Sequence, residues 1–194
     1  MHLDNWFPST VGRSYHPEWI DSLNVSVNEI FSDPNKEVST SFYYNGETTY
    51  GVRSLVHDPK FSSFADFVLA KGKEFLEMQG YDSNRVNWRP YMFANSFLKG
   101  SNHPKHLHSQ CTLSGIFYLK TPPGSSNITF YPNQPFKDFF DYMYAVKDPT
   151  NWYSMQSTTY VPYPGLMLIW PAWLYHEVLP NDSDEPRTSV VFNL

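Results

Sequence analysis

Two kinds of hydrophobic pattern divide the chain. Residues 58–80, DPKFSSFADFVLAKGKEFLEMQG, place Phe61, Phe64, Phe67, Val68, Phe75 and Leu76 at spacings near three and four, which is the stripe of an amphipathic helix. Ser63 followed by Asp66 resembles a capping box at its start, and Gly80 is a plausible stop. A second, weaker helix is predicted over 23–31, ending before Asp33-Pro34. From Val86 onward the pattern shortens to β-branched and aromatic runs. Strands are predicted at 86–98, 104–108, 113–120, 127–131, 155–161, 165–170, 174–178 and 187–193. Pro122-Pro123-Gly124, Pro132-Asn133 and Pro164-Gly165 supply turns between several of them.

Eight short strands with no helix between them predict a mainly β fold, a double-sheet jelly roll or a barrel, supported by α-helices near the N-terminus. We expect one domain over 1–194, with 1–85 as helical and strand support and 86–194 as the β core. Segment 133–154 fits neither period; it reads equally as a substrate loop or as an aromatic excursion covering a sheet edge.

Composition agrees with this picture. Aromatic residues make up 18% of the 194, and sixteen prolines argue against a helical bundle. The formal net charge of −5, without a Lys/Arg cluster, excludes the electrostatic footprint of a nucleic-acid binder. A lone cysteine, Cys111, rules out an internal disulfide and sets a reducing, cytoplasmic location as the expectation. No signal peptide is evident in MHLDNWFPST, and the longest apolar stretch, GLMLIWPAWLY, is too short to span a membrane. Oligomeric state leaves no signal.

The candidate chemistry lies in histidines. His106 and His108 are one residue apart, so an extended backbone points both imidazoles to one side. His176 follows an apolar strand and a turn, and strands that far apart in a jelly roll face each other across the mouth. Three imidazoles there would make a metal site with open positions. Arg187 opens the last strand, where Arg187, Ser189 and Val191 share one face and Thr188, Val190 and Phe192 the other. Its guanidinium either reaches the rim acids Asp182, Asp184 or Glu185, or receives a ligand carboxylate with help from Ser189. His103 is expected on the face opposite His106, Glu177 as a surface charge, and Cys111 as a small buried apolar residue.

In this order, His106-Leu-His108, His176 and Arg187-Thr-Ser189 resemble the iron(II)- and 2-oxoglutarate-dependent oxygenases, in particular their prolyl-hydroxylase-like branch, over roughly 86–194. LSGIFYLK at 113–120 is similar to the strand that carries a cosubstrate-binding tyrosine in that branch, which would be Tyr118. The resemblance implies a double-stranded β-helix and a dioxygenase of the hydroxylase type. It implies Fe(II) held by His106, His108 and His176, and 2-oxoglutarate held by Arg187, Ser189 and Tyr118. Dioxygen would be the co-reactant and a small molecule or a peptide the substrate. One departure stands out: His108 occupies the place where the family has a carboxylate, so the three ligands would be neutral. Two other readings remain open: a three-histidine zinc hydrolase or hydratase, and a non-enzymatic jelly-roll module whose aromatic residues hold a sugar or peptide.

Overall fold

In the computed structural model, residues 1–2, 8–40, 45–132, 147–148, 150–151 and 155–194 are described. Among these residues, ten strands form two antiparallel sheets. The larger sheet has the order β1 (Gly12–Tyr15), β8 (Leu166–Pro171), β5 (Leu113–Lys120), β10 (Arg187–Asn193), β3 (Tyr91–Phe97) and β2 (Gly46–Thr48). The smaller has the order β4 (His103–His106), β9 (His176–Val178), β6 (Ile128–Phe130) and β7 (Thr158–Tyr160). All eight predicted strands are present, β5 and β10 with the predicted bounds and the other six with shifted ends. The two unpredicted ones, β1 and β2, have four and three residues, too short for a period of two to stand out.

The larger sheet is buried on both faces, which explains why β5 and β8 read as almost unbroken apolar runs. Its outer face presents Phe117, Leu119, Met167, Ile169, Val190 and Phe192 to helices α1 (Ile20–Ser32) and α2 (Ser62–Glu77), which contribute Leu23, Val27, Phe64 and Val68. On the inner face, Phe97, Ile116, Tyr118, Leu168 and Trp170 meet Ile128, Phe130 and Val178 of the smaller sheet. Strand alternation thus divides the apolar residues between two cores.

Helix α2 starts differently from expectation. Ser63 and Asp66 make no cap; a 3-10 turn over Pro59–Phe61 precedes the helix, and Asp58 accepts the Lys60 backbone N–H at 3.0 Å. Pro59 at the first position of that turn moves the capping function a turn earlier. Gly80, with φ +83, ends the segment as predicted. Helix α1 is longer than the predicted 23–31, beginning at Ile20. Segment 133–154 lies almost wholly outside the described residues. Among the described residues no helix is long and apolar enough to cross a membrane.

Gly115 shows how tightly the outer core closes on the central strand. A Cβ at this position would sit 2.2 Å from the Phe192 ring and 2.8 Å from the Leu168 carbonyl. Gly115→Ala is expected to destabilise the protein by about 1–3 kcal/mol through overpacking, measurable as a lower urea midpoint at unchanged slope.

Candidate metal centre and the adjoining anion cradle

The smaller sheet brings the three histidines together. His106 and His176 are direct partners across β4 and β9, and Phe130 flanks His176 from β6. His108 lies beyond the end of β4, where its backbone N–H donates to the Ala172 carbonyl at 2.9 Å and ties it to the β8–β9 turn. One nitrogen from each of the three rings lies within 4.8 Å of the others, a grouping able to hold a metal ion. The Nε2 atoms of His108 and His176 are 3.3 Å apart.

Ring orientation is fixed by the opposite nitrogens. His176 Nδ1 bonds the Leu174 carbonyl at 2.9 Å, and His106 Nδ1 bonds the Pro104 carbonyl at 2.7 Å. A carbonyl only accepts, so both Nδ1 atoms carry the proton and both Nε2 atoms keep a lone pair. This is the tautomer a metal ligand needs. Burial pushes His176 down to about 2 and His108 to about 4, each further lowered by neighbouring imidazoles. His106 is also lowered by burial, against the opposing pull of the Pro104 carbonyl. All three are therefore neutral near pH 7. The donor set fits a divalent transition metal: His106 and His176 keep Nε2 lone pairs, and His108 adds a third neutral imidazole within reach of the same point.

His103 departs from the expected opposite face. Between the His103–Val178 and His106–His176 pairs lie two residues of β4 but one of β9, so β4 carries a bulge. The extra residue returns His103 to the side of His106, and the two rings stack at 3.7 Å with 21° between planes. Pro104, without an N–H, is tolerated there because β4 is an edge strand. Glu177 does point away from the histidines, but the Tyr131 hydroxyl donates to it. Lys105 lies over the Tyr131 ring at 4.1 Å on that outer side. Burial raises the Cys111 thiol to about 11, which makes it a poor nucleophile.

Deeper between the sheets lies a second group. Arg187 is 1% exposed; its Nη1 donates to the Ser126 carbonyl at 3.2 Å, and its guanidinium lies over Phe97 at 4.5 Å and Tyr118 at 5.4 Å. Of the rim acids, Asp184 pairs with Lys99 and Glu185 with Lys120. Ser189 pairs directly with Tyr118 across β10 and β5, so both side chains enter the same interior. Burial raises Tyr118 to about 12, partly opposed by the Arg187 charge, so its hydroxyl remains a donor. Yet Tyr118 Oη, Ser189 Oγ, Ser126 Oγ and Trp170 Nε1 are all buried without a hydrogen-bond partner. Such groups ordinarily find one, and leaving each unmade costs about 1–3 kcal/mol. Hydroxyl donors around a buried cation fit a carboxylate. Ser126 and Trp170 carry no signal in the sequence, since neither belongs to a spaced motif.

Residues 91–193 match a family described as "Putative 2OG-Fe(II) oxygenase". The chain belongs to that family. The oxygenase is therefore an enzyme that works with Fe(II), 2-oxoglutarate and dioxygen. No curated protein matches it in sequence. Among solved structures, it is similar to a prolyl-4-hydroxylase from Pseudomonas putida, with a TM-score of 0.64 and 11% identity over 95% of this chain and 91% of that one. The epimerase SnoN, solved with Fe3+, alpha-ketoglutarate and nogalamycin RO, gives 0.63 and 12% over 95% and 79%. A prolyl hydroxylase from Trichoplax adhaerens, in complex with a hypoxia-inducible-factor peptide fragment, gives 0.58 and 11% over 94% and 82%. At such identities the likeness establishes the fold, a double-stranded β-helix.

The neutral histidine cluster makes the metal-free oxygenase sensitive to acid. Histidines in the unfolded chain titrate near 6.5, whereas the buried ones resist protonation. Their contribution is complete above about pH 7 and is lost as pH falls from about 6.5. Between pH 6.5 and 5, above the range of most carboxylates, stability should drop with a slope approaching ~1.4 kcal/mol per pH unit from His176 alone. Urea denaturation of metal-free protein across this window should show the slope, and His176→Gln should flatten it.

Proposed function

We propose that His106, His108 and His176 hold Fe(II), that Arg187, Ser189 and Tyr118 hold the distal carboxylate of 2-oxoglutarate, and that the reaction is hydroxylation. The observation carrying this reading is the placement of the orphaned Tyr118 and Ser189 hydroxyls beside the buried Arg187 guanidinium, together with three imidazoles whose ring nitrogens gather within 4.8 Å of one another. When bound, metal and cosubstrate supply dioxygen activation coupled to oxidative decarboxylation of 2-oxoglutarate to succinate.

The chain's own residues do the holding. The carbonyls of Pro104 and Leu174 keep His106 and His176 in one tautomer and one rotation. The guanidinium gives a planar fork for a carboxylate, and the two hydroxyls add donors that cost no reorganisation on binding. Phe130, Trp170 and Leu168 wall the interior with apolar surface and keep bulk water from the reacting centre. A zinc hydrolase would have no use for the buried guanidinium and its hydroxyls, and a sugar-binding module none for the histidines. The two helices support the larger sheet, in keeping with 1–85 as scaffold for the core within one domain.

His108 in place of a carboxylate leaves the metal's two positive charges uncompensated by protein ligands. The cosubstrate dianion supplies that compensation, so cosubstrate and metal should bind with strong mutual dependence. The substrate class is a small molecule or a peptide. Both appear among the similar structures, as nogalamycin RO in one and a peptide fragment in another.

Anaerobic titration of Fe(II) in the presence of 2-oxoglutarate should develop the visible charge-transfer absorption of the chelate, and absence of a band would count against the reading. Arg187→Met, close in volume and uncharged, should weaken 2-oxoglutarate at least ~30-fold, the size expected when one partner of a buried charge pair is removed. His108→Asp should keep the metal and lessen its dependence on cosubstrate. His108→Ala should lose metal affinity ~10-fold or more, by equilibrium dialysis.

A further inference from the structure

We propose that Ser126 is a further binding residue for the distal carboxylate, and that its main chain is what aims Arg187 at that group. The inference rests on the placement of 2-oxoglutarate given above. Ser126 lies two residues before β6 and is 2% exposed. Its carbonyl accepts from Arg187 Nη1 at 3.2 Å, and its N–H donates to Asn181 Oδ1 at 3.0 Å. Asn181, itself buried, donates from Nδ2 to the Phe97 carbonyl at 3.2 Å, and the Phe97 ring lies against the guanidinium. Strands β3 and β10 and the approach to β6 are thereby locked around one cation.

Both main-chain groups of Ser126 are thus engaged, while its hydroxyl is buried with no partner. It shares this state with Tyr118 and Ser189, and not with the buried serines away from Arg187. The equally buried Ser101 donates to the Asn45 carbonyl at 2.6 Å, and Ser114 donates to Asn193 Oδ1 at 2.9 Å. A hydroxyl fixed beside a guanidinium and left open is a donor held for a ligand. With Tyr118 and Ser189 it makes three neutral donors around one positive charge. This complement suits a carboxylate, with about four lone-pair directions and a single negative charge. A phosphate dianion would be left under-compensated. Ser126 therefore sharpens selection for dicarboxylic 2-oxo acids over those lacking the second carboxylate.

Ser126→Ala removes the hydroxyl and keeps the carbonyl that holds Arg187. Because the hydroxyl is unsatisfied without ligand, the unliganded variant should melt no lower than wild type. Its Kd for 2-oxoglutarate, measured anaerobically with Fe(II) by the charge-transfer band, should rise ~10-fold or more, as expected for one bond to a charged group. Fe(II) affinity alone should not change. 2-Oxobutyrate, which lacks the distal carboxylate, should bind wild type and variant equally. Ser126→Cys, which keeps the volume with a weak donor, should show the same selective loss and serves if the alanine variant does not fold. Wild-type affinity for 2-oxoglutarate in both variants, with Arg187→Met still defective, would overturn the role of Ser126 alone. Unimpaired binding in Arg187→Met, or none in wild type, would overturn the cradle itself and this inference with it.

Discussion

Buried hydroxyls that lack partners, gathered around one sealed guanidinium, are the constraint on which the reading of this oxygenase turns. A folded interior seldom tolerates an unmade hydrogen bond, and here Tyr118, Ser126 and Ser189 each present one in the same space between two sheets. The stability lost at these groups must be recovered elsewhere, and the outer core of Phe64, Phe117, Val190 and Phe192 is where the protein recovers it. Packing on one face of the larger sheet thus makes the polar interior on its other face sustainable. The same strands serve both tasks because their side chains alternate.

The histidine cluster has a different logic. No charge is stored there: burial and mutual repulsion keep the imidazoles neutral, and backbone carbonyls choose their tautomer. The smaller sheet, with fewer and shorter strands, would be a weak frame on its own. Its position is secured by contact with Ile116, Leu168 and Trp170 across the interior, and Trp170 also meets the His176 ring edge-on at 4.8 Å. Anchoring the distal histidine in the central part of this sheet, with His106 beside it on an edge strand, gives a rigid side and an accessible side. His103, returned to the cluster by a bulge, extends the aromatic packing of His106 outward.

The histidine cluster and the Arg187 group are joined by short structural paths. Arg187 and Ser189 share β10, Tyr118 is on the neighbouring β5, and Trp170 and His176 flank the turn after β8. A ligand reaching from the imidazoles to the guanidinium would touch both sheets and close the polar gaps between them. With His108 in the proposed ligand set, all three protein ligands would be neutral, and the charge of the metal end would be balanced by that ligand.

The sequence by itself determined the strand count of the core, the apolar stripe of α2 and the order of the histidines, arginine and serine along the chain. These follow from period, turn chemistry and spacing, which are local quantities. It also carried the family resemblance, because ordered motifs survive where overall identity does not. Tertiary structure alone decided the rest. The bulge in β4 that reorients His103 depends on pairing with β9, whereas the proline turn that starts α2 is a local signal of Asp58-Pro59 that the capping-box reading passed over. Ser126 and Trp170 join the interior only through contacts between residues far apart in the chain. No local pattern marks a buried hydroxyl as satisfied or open, since that depends on which groups the fold brings within about 3 Å of it.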